Sequence, residues 1–191
     1  MTGVPPLDPE LAEFVTRFEE AKSRAVALTR GLSADELRWQ PAPDRWSIED
    51  CLRHLNITGY HYLPRLDHAL ERTRAAGHFG EGASRRPRIG EWLIRSLEPP
   101  PQRRFKVPGV FRSHPRAEGE APLAGFLALQ DDLIRRVHDA AGLDISRVMI
   151  RSPAMPLIRF TIAQVFALTA THQRRHLWQA EQVRVEAPRH A

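Results

Sequence analysis

The sequence predicts an all-α fold, a four-helix bundle in up-down-down-up order with a long crossover between its second and third long helices. Three observations carry this reading. Four long segments place apolar residues at helical spacing. Their starts carry capping residues or an early proline, and Gly31, Gly77 and Gly142 mark where the first three stop. One connection, residues 77–120, is far longer than the others and rich in Gly, Pro and Arg. The short links make the first two long helices antiparallel and likewise the last two, and the crossover lets the second and third run parallel.

The first helix starts at Asp8, an N-cap followed by Pro9, and carries Leu11, Phe14, Val15, Phe18, Ala21 and Ala25 on one side. Ser33 and Glu36 form a capping box for a short turn through Trp39, which Pro41 and Pro43 end. Ser47 caps the second long helix, with Asp50 as its partner. That helix runs from Ile48 to about Ala76 and contains Pro64, which is expected to kink it or shift a few backbone bonds. A short helix is expected over Ile89–Leu97, ended by Pro99-Pro100-Pro101. The third long helix spans Pro122–Ala141. An irregular or extended passage, Ile145–Met155, precedes the fourth, which opens on the capping box of Thr161 and Gln164. No hairpin signal or repeat is evident.

At 191 residues the chain is expected to form one domain, 1–191, large enough for its own core. The formal charge is +5, and the positive charge is arginine apart from Lys22 and Lys106. The arginines are scattered except for Arg85-Arg86-Pro87-Arg88 and Arg103-Arg104-Phe105-Lys106 in the crossover, so they read as solvated surface and no nucleic-acid partner is expected. Arg103, Arg104 and Lys106 are candidates to neutralise an anionic substrate at the bundle mouth. A single cysteine, Cys51, fits a reducing compartment, and residues 1–8 lack the features of a secretory signal. No stretch reads as a membrane span. The expected setting is the cytoplasm. There is no phosphate loop, CxxC pair, Ser-His-Asp order or evident pair of catalytic carboxylates.

The chemistry lies in the histidines. His172 and His176 stand one turn apart on the fourth helix, turned by roughly 40° and separated by roughly 6 Å along the axis, so both rings lean toward one point. They share a face with Val165, Leu168 and Thr169. His54 lies within two turns of the second helix start, bracketed by Leu52 and Leu55. If those helices face each other, three neutral imidazoles converge on one divalent ion such as zinc, nickel or iron, with positions left for substrate or water. Gln173 stands where a zincin has its glutamate, which excludes that route to proteolysis. His61 and His68 follow His54 at seven-residue steps, too far along the helix to join the same ion; His61 is a candidate pocket residue or proton carrier. Cys51 reads as a small core residue.

Trp39-Gln40-Pro41, then Trp46-Ser47-Ile48-Glu49-Asp50-Cys51-Leu52-Arg53-His54-Leu55, then His172-Gln173-Arg174-Arg175-His176, resembles the DinB-like superfamily of bacterial metal-binding four-helix bundles. The resemblance implies that His54, His172 and His176 are the metal ligands. It also implies kinship with thiol-dependent S-transferases and isomerases, in which the metal activates a low-molecular-weight thiol such as bacillithiol or mycothiol. Some members carry an acidic residue a few positions after the first histidine; here Asn56-Ile57-Thr58-Gly59-Tyr60 has none.

Two functions follow as expectations. One is a metal-dependent transferase or hydrolase acting on a small electrophile. The alternative is a non-catalytic stress-response or dimerisation module, a homodimer whose metal is structural or absent.

Overall fold

The computed structural model describes residues 6–80, 87–100, 106–112 and 114–188. The chain is mostly helical. Its helices are α1 (Pro9–Thr29), α2 (Ala34–Arg38), α3 (Ile48–Ala75), α4 (Arg88–Ser96), α5 (Pro115–Glu118), α6 (Pro122–Asp139) and α7 (Ile162–Glu186). A 3-10 turn, Gly109–Phe111, lies between α4 and α5, and strands β1 (Met149–Arg151) and β2 (Arg159–Thr161) precede α7. Among the described residues no helix is long and apolar enough to cross a membrane.

The starts expected from sequence are built as local chemistry requires. Asp8 accepts from the Leu11 amide at 2.8 Å. Complete capping boxes close the first turns of α2, α3 and α7: Ser33 with Glu36, Ser47 with Asp50, Thr161 with Gln164. Gly31 and Gly142, just past α1 and α6, take positive φ, the left-handed conformation that frees a helix C-terminus at little steric cost. Helix α3 continues through Pro64 as one element.

Four helices carry the core. Both α1 and α3 pack on α6 and on α7. One apolar cluster joins Leu11, Phe14 and Phe18 of α1 to Leu66 of α3, Leu133 of α6 and Phe166 of α7, with the Phe14 and Phe166 rings 5.5 Å apart. A second gathers Ala25, Ile48, Leu52, Phe126, Leu177 and Val183 at the end where α3 begins. Side-chain links record the pairings: Asn56 Nδ2 donates to the Pro122 carbonyl and the Tyr60 hydroxyl to the Gly125 carbonyl, while Arg136 pairs with Asp67. Arg24 makes a bidentate pair with Glu181.

The crossover is structured where it is described. Helix α4 docks on α7, where Gln164 Nε2 donates to the Pro87 carbonyl at 3.0 Å and Arg174 pairs with Glu98. The 3-10 turn lies against α3. One local expectation is corrected. The passage before α7 contains an antiparallel pair in the register Met149↔Thr161, Ile150↔Phe160 and Arg151↔Arg159. Each strand is three residues long, too short for an alternating pattern to stand out, and the buried Ile150 and Phe160 hold the pair to the core.

Because Ser47 satisfies the first turn of α3 together with Asp50, Ser47→Ala is expected to lower the unfolding free energy by about 1 kcal/mol, measured by urea denaturation.

Candidate metal centre

Helix α3 delivers His54 and helix α7 delivers His172 and His176. His54 is set seven residues after the Ser47 cap, so the capping box fixes its height on α3. The pair on α7 is set by the helical repeat. The three rings meet. His54 Nε2 lies 3.3 Å from His172 Nε2, and His176 Nε2 lies 3.1 Å from the same atom. Ring centroids are 4.5–5.1 Å apart. Among the described residues these three form the group whose ligand atoms all lie within 4.8 Å of one another, as one metal ion requires.

The far side of two rings is anchored. Nδ1 of His176 lies 3.1 Å from Gln179 Oε1, and the backbone carbonyl of Phe111 accepts from the His54 ring. A neutral imidazole has one N–H. With that proton held on Nδ1 of His176, its Nε2 presents a lone pair toward His172, and His54 Nε2 faces the same atom. His172 has at most one proton to offer two acceptors. A donor set of this kind is satisfied by a cation, so the residues present fit a divalent metal.

Trp46, the residue before the Ser47 cap, stacks on His176 at 5.3 Å between centroids and packs against His54 at 4.8 Å. Trp46 also packs on the second apolar cluster, as a staple for the helix start would. Its indole also forms a wall of the centre.

Burial keeps the imidazoles neutral. It lowers His54 from 6.5 to about 4, against a smaller opposing effect of the Phe111 hydrogen bond. It lowers His176 to about 3, helped by the neighbouring His54. His172 is pushed well below 6.5 by burial first, then by His176, His54 and Arg175.

A cavity of about 950 Å³ opens onto the centre. Trp92, Leu97, Phe111, Phe160 and Leu168 give it apolar walls, and Lys106, Tyr62 and Arg175 bring polar groups to it. Tyr62 is buried, and desolvation pushes its phenol up to about 12, so it stays protonated. Burial lowers the Arg175 guanidinium from its usual range. Arg103 and Arg104, expected beside Lys106, lie outside the described residues, as do Arg85 and Arg86.

Cys51 is buried in the second apolar cluster, and desolvation raises its thiol pKa, so it is a core residue. His61 lies outside the cavity and meets His114 edge-on at 4.9 Å; His114 Nδ1 also accepts from the Arg116 amide. Gln179, Phe111 and Arg175 were not anticipated. Gln179 was accessible, since a side chain three residues past His176 stands beside it. Phe111 was not, because it acts through its backbone from a distant segment.

The family model of the DinB superfamily matches residues 17–180. The chain belongs to the DinB superfamily. Comparison with the curated proteins and with the solved structures finds no match. The matched span of this DinB superfamily chain holds all three histidines.

The pH response of the metal-free protein follows from the burial of these rings. The unfolded chain takes up their protons near 6.5, the folded chain only near 4 at His54 and near 3 at His176. Between those values the unfolded state binds more protons, so acid favours unfolding. Stability is expected to be level above pH 7 and to fall by on the order of a few kcal/mol as pH drops from 6.5 toward 4, read from urea unfolding at stepped pH.

Proposed function

We propose that this DinB superfamily protein is a metal-dependent enzyme. It holds zinc, nickel or iron through His54, His172 and His176 and acts as a thiol S-transferase or hydrolase on a small electrophile. The observation that carries the reading is the meeting of three neutral imidazoles, two buried and that of His172 half-buried, at the foot of an open cavity. A divalent ion there supplies Lewis acidity, which lowers the pKa of a thiol or of water. The chain's own residues do the rest. Gln179 and Phe111 orient two of the ligands. Phe160 and Leu168 exclude water from the approach. Lys106 and Arg175 attract an anionic group on the substrate or thiol. Tyr62 holds a proton at its hydroxyl and takes the place of the acidic residue missing from Asn56–Tyr60 as a hydrogen-bond donor.

The up-down-down-up order belongs to the same reading. Its support is that links from α3 to α6 ascend together, Asn56 with Pro122 and Asp67 with Arg136, while those from α1 to α7 do likewise, Phe14 with Phe166 and Arg24 with Glu181. A single domain, a cytoplasmic setting with one buried cysteine, a small-molecule substrate and self-association as a homodimer complete the proposal.

Purified without a histidine tag, the protein is expected to bind one equivalent of zinc or nickel by metal analysis. Gln179→Ala is expected to weaken affinity about 10–100-fold, and each of His54→Ala, His172→Ala and His176→Ala by more. Binding below about a tenth of an equivalent would defeat the reading. Thiol conjugation to an aryl halide, assayed with bacillithiol, mycothiol and glutathione, is expected to stop on chelation. A His172→Ala variant with a shifted melting temperature and undiminished turnover would instead favour the non-catalytic module.

A further inference from the structure

A second cavity, of about 440 Å³, shares no lining residue with the one over the histidines. Four arginines line it. Arg65 and Arg72 stand seven residues apart on α3 and so on one face of it; Arg151 comes from β1 and Arg159 from β2. His68 lies between the first two, and Ala69, Met149 and Ile150 supply apolar surface.

Two features set this cluster apart. Arg151 and Arg159 are directly opposed in the register of the strand pair, and like charges opposite each other destabilise a β-ladder. In addition, none of the four has a carboxylate partner among the described residues. Arg65 donates to the His61 carbonyl of its own helix at 2.6 Å, and the guanidiniums of the other three make no hydrogen bond or ion pair with the described residues. Elsewhere arginines are commonly paired, as Arg24 is with Glu181, Arg45 with Glu186 and Arg116 with Asp132. Asp67, the acid between Arg65 and Arg72 on α3, pairs with Arg136, and Glu71, beside Arg72, lies outside the cavity lining.

We propose that this groove binds a small ligand bearing a diphosphate or phosphate-ester group, gripped by Arg65, Arg72, Arg151 and Arg159. Four guanidiniums from three elements match a multiply charged anion, and their planar forks pair bidentately with phosphate oxygens. The bound anion also relieves the repulsion between Arg151 and Arg159. The groove is an open depression of small-molecule volume lined by exposed arginines, and among the described residues no Phe, Tyr or Trp lines it to stack a base, which disfavours single-stranded nucleic acid.

The test is calorimetric titration and thermal melting of the full chain with inorganic pyrophosphate. Binding in the micromolar range and a raised melting temperature are expected. Arg151→Gln with Arg159→Gln is expected to weaken binding about tenfold or more, while the ligand-free melting temperature holds or rises because the like-charge pair is gone. Arg65→Gln with Arg72→Gln provides a second variant on a different element, with the same expected loss. Because pyrophosphate also chelates metals, His172→Ala is titrated in parallel and is expected to bind it as the unaltered chain does. Three results overturn the proposal: no heat and no stabilisation at about 1 mM pyrophosphate; binding undiminished in both arginine variants, or lost in His172→Ala alone; or duplex DNA binding more tightly than pyrophosphate at physiological salt and displacing it.

Discussion

Three imidazoles can share a buried site only if none is charged and their lone pairs have somewhere to point. The Nε2 atoms of His54, His172 and His176 lie 3.1–3.3 Å apart along the chain of contacts through His172. Burial desolvates the charged form of each ring, which is why all three pKa values fall. The arrangement therefore demands that α3 and α7 meet in one rotation and at one height. The Ser47–Asp50 box, the Trp46 stack and the apolar cluster around Leu52 and Leu177 enforce both.

The crossover, which looks like mere connection, completes the centre. Its 3-10 turn brings the Phe111 carbonyl to His54 and the Phe111 ring to the cavity wall. Helix α4 lies on α7 through Gln164, Glu98 and the Ser96 carbonyl, which accepts from Arg175 at 3.4 Å. A segment that must reach from the end of α3 to the start of α6 passes over the histidine end of the core, and it carries the side chains that give the cavity its depth. Its length follows from that path.

Much of this was legible in the residue order because the signals are local. Capping boxes, an N-terminal proline and glycine stops act within a few residues, so helix starts and ends could be read directly. His172 and His176 are joined by the helical repeat, and the His54 segment stood out because a tryptophan and a capping serine precede it. What escaped notice depends on partners far along the chain. The β1–β2 pair is six residues in all, held by Ile150 and Phe160 reaching the core. The opposition of Arg151 and Arg159 arises only once those strands pair. Arg175, adjacent to His176, reads as a surface charge until α4 covers it.

Residue order alone specifies the mostly helical class, the order and limits of the long helices, and which three histidines are available to meet, because helix propensity, capping and apolar period are short-range properties of consecutive residues. Packing specifies that His54 reaches the other two, that Phe111 and Gln179 face the rings, and that arginines from α3, β1 and β2 line one groove. Those outcomes rest on burial and packing between segments separated by scores of residues, and no local rule encodes which distant faces will come together.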